Sequence, residues 1–361
     1  MSAVIDLRSD TVTRPCPKMR QAMADAEVGD DVIERDPTCE RLQELTAELL
    51  GMEDAVFMPS GTMTNQIGLR IHCRPGDKFI CEAGCHIYNY EQGAFAQLSG
   101  LVARTVEGHY GVLRPEQLRG LIRPENDHLV RTRLVVLENT HNRGSGRIQP
   151  YAHVEEICSW AHSNGLRTHL DGARLFNAAV ATGIPLASWA QHFDTVSVCF
   201  SKGLGAPVGS ALAGTRAAIK EARRHRKLFG GGMRQAGVLA AGALYALRHN
   251  RDRLAEDHAN ASILAEAVRN SEGLLQLQPD EVDTNIVIFR VDPSLGSAAD
   301  FVQRLADRSV AALAIGPSQI RIVTHLDVSM ADCRRAAEAI SRVAEESANA
   351  PVSLPHSVAN A

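Results

Sequence analysis

The chain has few aromatic residues, little charge imbalance and no long apolar run. Phe, Trp and Tyr together make 4% of its 361 residues, so a core must be built largely from aliphatic side chains. No apolar stretch approaches the roughly 18 residues of a spanning helix, and no membrane partner is expected. A formal charge of −4 gives no electrostatic reason to expect nucleic acid or an anionic surface as a partner. Neither GxGxxG nor GxxxxGK followed by Ser or Thr occurs, which removes two common nucleotide-binding loops. The start, Met1-Ser2-Ala3-Val4-Ile5-Asp6, lacks a basic stretch followed by an apolar one, so no secretory signal is expected.

The eight cysteines are scattered rather than clustered. Cys81, Cys85 and His86 lie close in sequence, but no second group supplies zinc-site spacing, and no metal is expected. Reduced thiols in the cytoplasm fit better. Asn260-Ala261-Ser262 is a formal glycosylation sequon that falls in a predicted helix and carries no weight.

What is present is an alternation of apolar strands and helical patterns. Residues 79–81, 134–137, 167–170, 195–200 and 211–213 read as buried strands, and 55–58 as a short strand or turn. Helices are predicted from Thr38 with Leu42, Leu45 and Leu49 on one face, around Val154 and Ile157, and over 215–226, 233–249 and 251–270. Continuous apolar strands alternating with helices predict an α/β fold with a mostly parallel sheet covered on both faces. The expected division is an N-terminal arm over 1–20, a large domain over 21–248, a smaller α+β domain over 249–346 and a disordered polar tail over 347–361.

Two motifs carry the chemistry. Asp171 sits in His169-Leu170-Asp171-Gly172-Ala173-Arg174, and Lys202 in Ser201-Lys202-Gly203-Leu204-Gly205. Each follows an apolar run. A lysine delivered into a glycine-rich loop, with a strand-end aspartate upstream, suits pyridoxal phosphate. The amine condenses with the cofactor aldehyde, and the carboxylate keeps the pyridine nitrogen protonated. Opposite charges about 4 Å apart at an effective dielectric near 20 interact by roughly 4 kcal/mol, or about three pKa units. That is enough to hold the proton at neutral pH.

Three weaker signals join them. Ser60-Gly61-Thr62 opens a helix, where free amides and a hydroxyl suit a phosphate; alone it reads equally as an ordinary cap. His86 follows a strand and is either structural or able to stack on a flat ring and shuttle protons. Arg321, between Ile320 and Ile322, lies at a sheet edge or reaches a buried anion, and its fork of donors matches a carboxylate.

At this point the chain resembles the L-threonine aldolases of the β-eliminating-lyase group, which are fold type I pyridoxal phosphate enzymes. The resemblance rests on Asp6-Leu7-Arg8-Ser9-Asp10-Thr11-Val12-Thr13, Gly29-Asp30-Asp31-Val32, Pro59-Ser60-Gly61-Thr62-Met63 and Leu137-Glu138-Asn139-Thr140-His141-Asn142. The Asp171 and Lys202 motifs, Gly230-Gly231-Gly232-Met233-Arg234-Gln235-Ala236-Gly237 and Arg321-Ile322-Val323-Thr324-His325 extend it, in order, to about residue 345. It implies cleavage of L-threonine, L-allo-threonine or related β-hydroxy-α-amino acids to glycine and an aldehyde, in a homotetramer or at least a dimer. It implies that Lys202 carries the cofactor, Asp171 holds the ring nitrogen, and Ser60, Gly61 and Thr62 hold the phosphate. Arg234 would reach the phosphate from a neighbouring subunit, and His86 would stack on the ring. Ser9, Arg174 and Arg321 would bind the substrate carboxylate, Arg174 lying beside the cofactor as well, and His128 would sit near the β-hydroxyl. The base for that hydroxyl is open between His86, His128 and a water.

Two stretches depart from the family pattern. Ile33-Glu34-Arg35 stands where many members have a tyrosine and a glycine, which bears on substrate preference. His128-Leu129-Val130-Arg131-Thr132 also differs around its histidine. Two further readings stand beside the aldolase: another pyridoxal phosphate β-eliminating lyase or transaminase, and a cofactor-binding scaffold without activity.

Overall fold

The computed structural model describes residues 4–124 and 126–349. Ile5 and Leu7 alternate with Asp6 and Arg8, a period-two pattern that forms β1 (Ile5–Asp6). This strand pairs in parallel with Val310–Ala311, and Leu7 is fully buried. The segment from residue 4 is therefore anchored to the small sheet rather than a free arm, and the helix Pro17–Ala24 begins within it.

The large sheet contains β2 (Asp54–Met58), β3 (Lys78–Glu82), β4 (Val102–Val106), β5 (Thr132–Glu138), β6 (Arg167–Gly172), β7 (Thr195–Cys199) and β8 (Ser210–Gly214). Their spatial order is β2-β8-β7-β6-β5-β3-β4. The ladders from β7 through β4 are parallel, and β8 runs antiparallel to both of its neighbours. The interior strands β3, β7 and β8 are buried along their length, and β5 and β6 along most of theirs, as the continuous apolar runs predict. The edge strand β4 escapes that reading because its exposed Val102 and Arg104 alternate with half-buried neighbours.

Helices cover the sheet. Asp36 caps the helix Pro37–Leu50, accepting from the Thr38 and Cys39 amides, with Pro37 in its first turn. The helix Gly61–His72 lies so close to the sheet that a Cβ at Gly61 would meet Cys199 Sγ at 2.8 Å. Only glycine permits that approach.

A second sheet follows, built from β9 (Leu275–Leu277), β10 (Ile286–Val291), β12 (Leu313–Ala314) and β13 (Gln319–Val323) in the order β12-β13-β10-β9, while β11 (Val310–Ala311) pairs with β1. Its core is separate and includes Ile5, Leu7, Phe289, Phe301 and Ile340. The helix Leu254–Arg269 joins the two: Leu254 belongs to the large core, Ala261 to Val268 to the small one. The last helix runs Met330–Asn349, so residues 347–349 continue it. The rest of the expected tail lies outside the described residues.

Candidate active site

Parallel strands deliver their last residues to one edge of the sheet, where α/β folds hold ligands. Here β3 ends on Glu82, β5 on Glu138 and β6 on Asp171-Gly172, with Glu138 and Asp171 in register. The loop between β7 and β8 brings Lys202 to the same edge. Its half-buried side chain lines two adjoining cavities.

The first cavity, about 320 Å³, is lined by Ser60, Gly61, Thr62, His86, Asp171 and Lys202 among others. At one end the helix Gly61–His72 begins. The Ser60 side chain accepts from the Met63 amide, leaving the Gly61 and Thr62 amides without intrahelical partners. At the other end lies the Asp171 carboxylate, 2% exposed. It accepts from Asn65 Nδ2 at 2.9 Å and the Ala173 amide at 3.1 Å, both neutral. A buried carboxylate held only by neutral donors fits a protonated pyridine nitrogen, and the helix start fits a phosphate.

His86 opens the short helix after β3. Its Nδ1 lies 2.9 Å from Glu91 Oε1. Glu91, also buried, accepts from Asn65 Nδ2 at 2.9 Å and Gln66 Nε2 at 2.5 Å. With a carboxylate as acceptor, Nδ1 is the protonated ring atom and Nε2 is left to gain or lose a proton. Burial works against a charged His86 ring. The Glu91 hydrogen bond and then the Asp171 charge outweigh it, and the imidazole pKa is raised. His86, Glu91 and Asp171 bring potential metal-ligating atoms within 4.8 Å of one another. The Asn65 amide, however, donates to both carboxylates, filling the place a cation would take.

The second cavity, about 150 Å³, is lined by Ser9, Thr140, Asn142, Arg174 and Arg321 together with Lys202, Asp171 and His86. Its two arginines differ. Arg174 is buried and gives Nε and Nη2 to the two oxygens of Asp10, each at 2.7 Å. Burial alone would raise the Asp10 carboxyl, but Arg174 beside it holds the pKa down at about 2. Arg174 is thus held by the protein's own carboxylate through Nε and Nη2, while it still lines the cavity. Arg321 has only neutral partners, Asn142 Oδ1 at 3.1 Å and the Arg8 carbonyl at 3.3 Å, and its Nε is buried without one. Asn142 Oδ1 also accepts from Arg174 Nη1 at 3.3 Å, tying the two guanidiniums together.

Two expected residues lie elsewhere in the protomer. Arg234 is exposed and pairs with Asp30 at 3.2 Å. His128 is exposed in the loop that precedes β5, so it sits where strands begin, at the opposite edge from Lys202. The seven residues of β5 span about 20 Å. The expectation that His128 reaches the β-hydroxyl is not met within one chain. Asp10, Asn65, Glu91, Glu138 and Asn142 had been given no role. The acid ending an apolar run was the available signal for Glu138; Asn65 and Glu91 carry none.

Fold and site together define a pyridoxal phosphate enzyme of fold type I. A family model described as beta-eliminating lyase matches residues 6–293. The low-specificity L-threonine aldolase of Escherichia coli (strain K12) is 43% identical over 327 residues, covering 90% of this chain and 95% of that protein. The structure of Leishmania major threonine aldolase is similar at TM-score 0.80 and 23% identity, covering 94% of this chain and 99% of that one. A structure of SPT with PLP is similar at TM-score 0.75 and 18% identity, over 95% of this chain and 88% of that one. At such identities the two structures bear on the fold alone. The chain belongs to the beta-eliminating lyase family.

Proposed function

We propose that this chain uses pyridoxal phosphate to cleave L-threonine, L-allo-threonine and related β-hydroxy-α-amino acids to glycine and an aldehyde. The observation that carries the reading is Arg321, a guanidinium short of acceptors on a small cavity that shares Lys202, Asp171 and His86 with the cofactor cavity. An α-carboxylate supplies the missing acceptor, and 43% identity to a low-specificity L-threonine aldolase supports the substrate class.

Bound pyridoxal phosphate supplies an electron-accepting ring conjugated to the substrate nitrogen. Lys202 holds it through its amine, Asp171 keeps its ring nitrogen protonated, and Ser60, Gly61 and Thr62 receive its phosphate. Arg321 and Ser9 would fix the substrate carboxylate and with it the rotamer about the Cα–N bond, which selects the bond to be broken. His86 Nε2 takes the β-hydroxyl proton, since Nδ1 donates to Glu91. Arg174, on the same cavity and held in place by Asp10 and Asn142, would join Arg321 and Ser9 through its remaining N–H groups.

The same proposal includes a homotetramer, with Arg234 of one copy serving the phosphate of another; its exposure, and a lining of its own cavity made by other residues, support this. It also includes a large cofactor-binding unit over 21–248 and a small unit over 249–346, supported by the separate cores, and a cytoplasmic location, supported by eight unpaired cysteines. The test is the purified protein with pyridoxal phosphate and L-threonine, which should yield acetaldehyde and glycine in equal amounts. Ammonia with an oxo acid, or bound cofactor without any product, would overturn the reading.

A further inference from the structure

The last residue of β5, Glu138, is an acid at the end of an apolar strand, 7% exposed, and it lines the smaller of the two cavities. Its oxygens are turned to the main chain. Oε2 accepts from the His86 amide at 2.6 Å and Oε1 from the Asn142 amide at 2.8 Å. Neither donor is charged, and burying a carboxylate against neutral donors is unfavourable in itself. An ionised carboxylate offers two acceptor oxygens, whereas a glutamine amide offers one acceptor and one donor group. Two converging N–H groups therefore require the acid.

The two donors belong to different loops. The His86 amide opens the segment after β3 that carries the proposed base. The Asn142 amide lies in the turn after β5, and Asn142 Oδ1 meets Arg174 Nη1 at 3.3 Å and Arg321 Nη1 at 3.1 Å. One side chain thus spans from the group that takes the β-hydroxyl proton to the group that holds the α-carboxylate. We propose that Glu138 is a positioning residue that ties these two loops together, so that His86 and Arg321 stand at a fixed separation. This rests on the cleavage proposed above, which needs both ends of one substrate held at once. A ligand with a carboxylate and no β-hydroxyl needs one end only. The Glu138 charge has a second effect. Glu91, Asp171 and Glu138 act on the His86 ring, with Lys202 on the same cavity and the Tyr90 ring centroid 5.6 Å away. Burial opposes a charged ring, while Glu91, then Asp171, then Glu138 raise its pKa.

The experiment compares wild type, Glu138→Gln and Glu138→Asp, each loaded with cofactor and normalised to the cofactor bound. Glycine binding is read from the cofactor absorbance, and L-threonine cleavage from acetaldehyde. Glu138→Gln should lower kcat/KM for L-threonine about tenfold or more, keep the glycine dissociation constant within about threefold, and move the acidic limb of kcat/KM down. Glu138→Asp keeps the charge on a side chain one methylene shorter, so cleavage should fall while the limb stays nearer its wild-type position. If Glu138→Gln does not fold, Glu138→Asp decides through the split between cleavage and glycine binding. Glycine binding weakened as much as cleavage, unchanged cleavage in either variant, or a limb that moves alike in both would each overturn the assignment. A wild type that neither cleaves L-threonine nor responds to glycine would overturn the reaction itself, and the assignment with it.

Discussion

Glu91→Gln tests the acid-base assignment most directly. The substitution keeps the side-chain volume and removes one buried charge that three N–H donors converge on, from His86, Asn65 and Gln66. An amide offers one acceptor oxygen, so at least one of those donors meets an NH₂ group instead. Losing the charge-assisted hydrogen bond at His86 costs about 1.5–3 kcal/mol. If the whole effect falls on the transition state, kcat/KM drops about ten- to a hundredfold. The pH profile gives the sharper readout. The His86 pKa is raised in the folded protein, partly by Glu91, so in the wild type Nε2 stays protonated to a higher pH. Removing Glu91 frees Nε2 at lower pH, and the acidic limb of kcat/KM should move down. Asp171 and Glu138 remain to hold part of the shift. Rate measurements with L-threonine between acid and neutral pH, with cofactor content checked at each point, decide it. A limb that stays in place or moves up removes His86 Nε2 as the base.

Arg321→Lys should raise KM for L-threonine about ten- to a hundredfold with a smaller change in kcat, because a point charge replaces a carboxylate-matching fork; an unchanged KM would place the carboxylate elsewhere. Asp10→Asn leaves the buried Arg174 without its charge partner and should cost about 3–5 kcal/mol in urea unfolding of the cofactor-loaded protein, whereas a loss under about 1 kcal/mol would mean that Asn142 and solvent suffice. The buried pair His141–Glu82, at 2.8 Å, should give stability a pH window. Burial opposes both charges, yet Glu138 and Glu82 raise the His141 pKa, and His141 lowers that of Glu82. The His141 contribution is full below its ordinary value of 6.5 and fades as pH rises through its raised folded value. The Glu82 contribution is full above 4.5 and fades as pH falls through its lowered one. The thermal-stability margin of wild type over His141→Gln should therefore peak between 4.5 and 6.5; a margin that grows toward alkaline pH would contradict the pairing.

The alternation of buried strands and helices was legible in the sequence because interior parallel strands read as unbroken apolar runs. The strands that escaped were those where burial is one-sided or the strand is brief: β4 at the sheet edge, and β1, β9, β11 and β12, two or three residues each. The placement of Ser60, His86, Asp171 and Lys202 was legible for a related reason. Each follows directly on an apolar run, and parallel strands put such positions on one edge. His128 was expected near the β-hydroxyl from the resemblance alone, and within one chain it precedes β5 and lies at the edge opposite Lys202. A histidine just before a strand and one just after it look alike as letters, yet they lie at opposite edges of the sheet.

Arg174 and Arg321 show a different limit. In sequence each is an arginine beside apolar neighbours, and nothing local separates a guanidinium engaged by the protein from one left short of acceptors. The distinction is made by Asp10, which lies in a segment far away in the chain and packed through β1 against the small core. That pairing has a consequence for function. With Asp10 held ionised at about 2 by Arg174, the carboxylate remains charged across the working pH range and keeps Arg174 fixed. Arg174 Nη1 and Arg321 Nη1 then share the single oxygen Asn142 Oδ1. One arginine is paired with a carboxylate, and the other, bridged to it but not so paired, is left on the same cavity as a guanidinium short of acceptors. Two arginines competing for one carboxylate would repel each other when the cavity is empty. One paired and one unpaired gives a site that tolerates the empty state and still binds an anion.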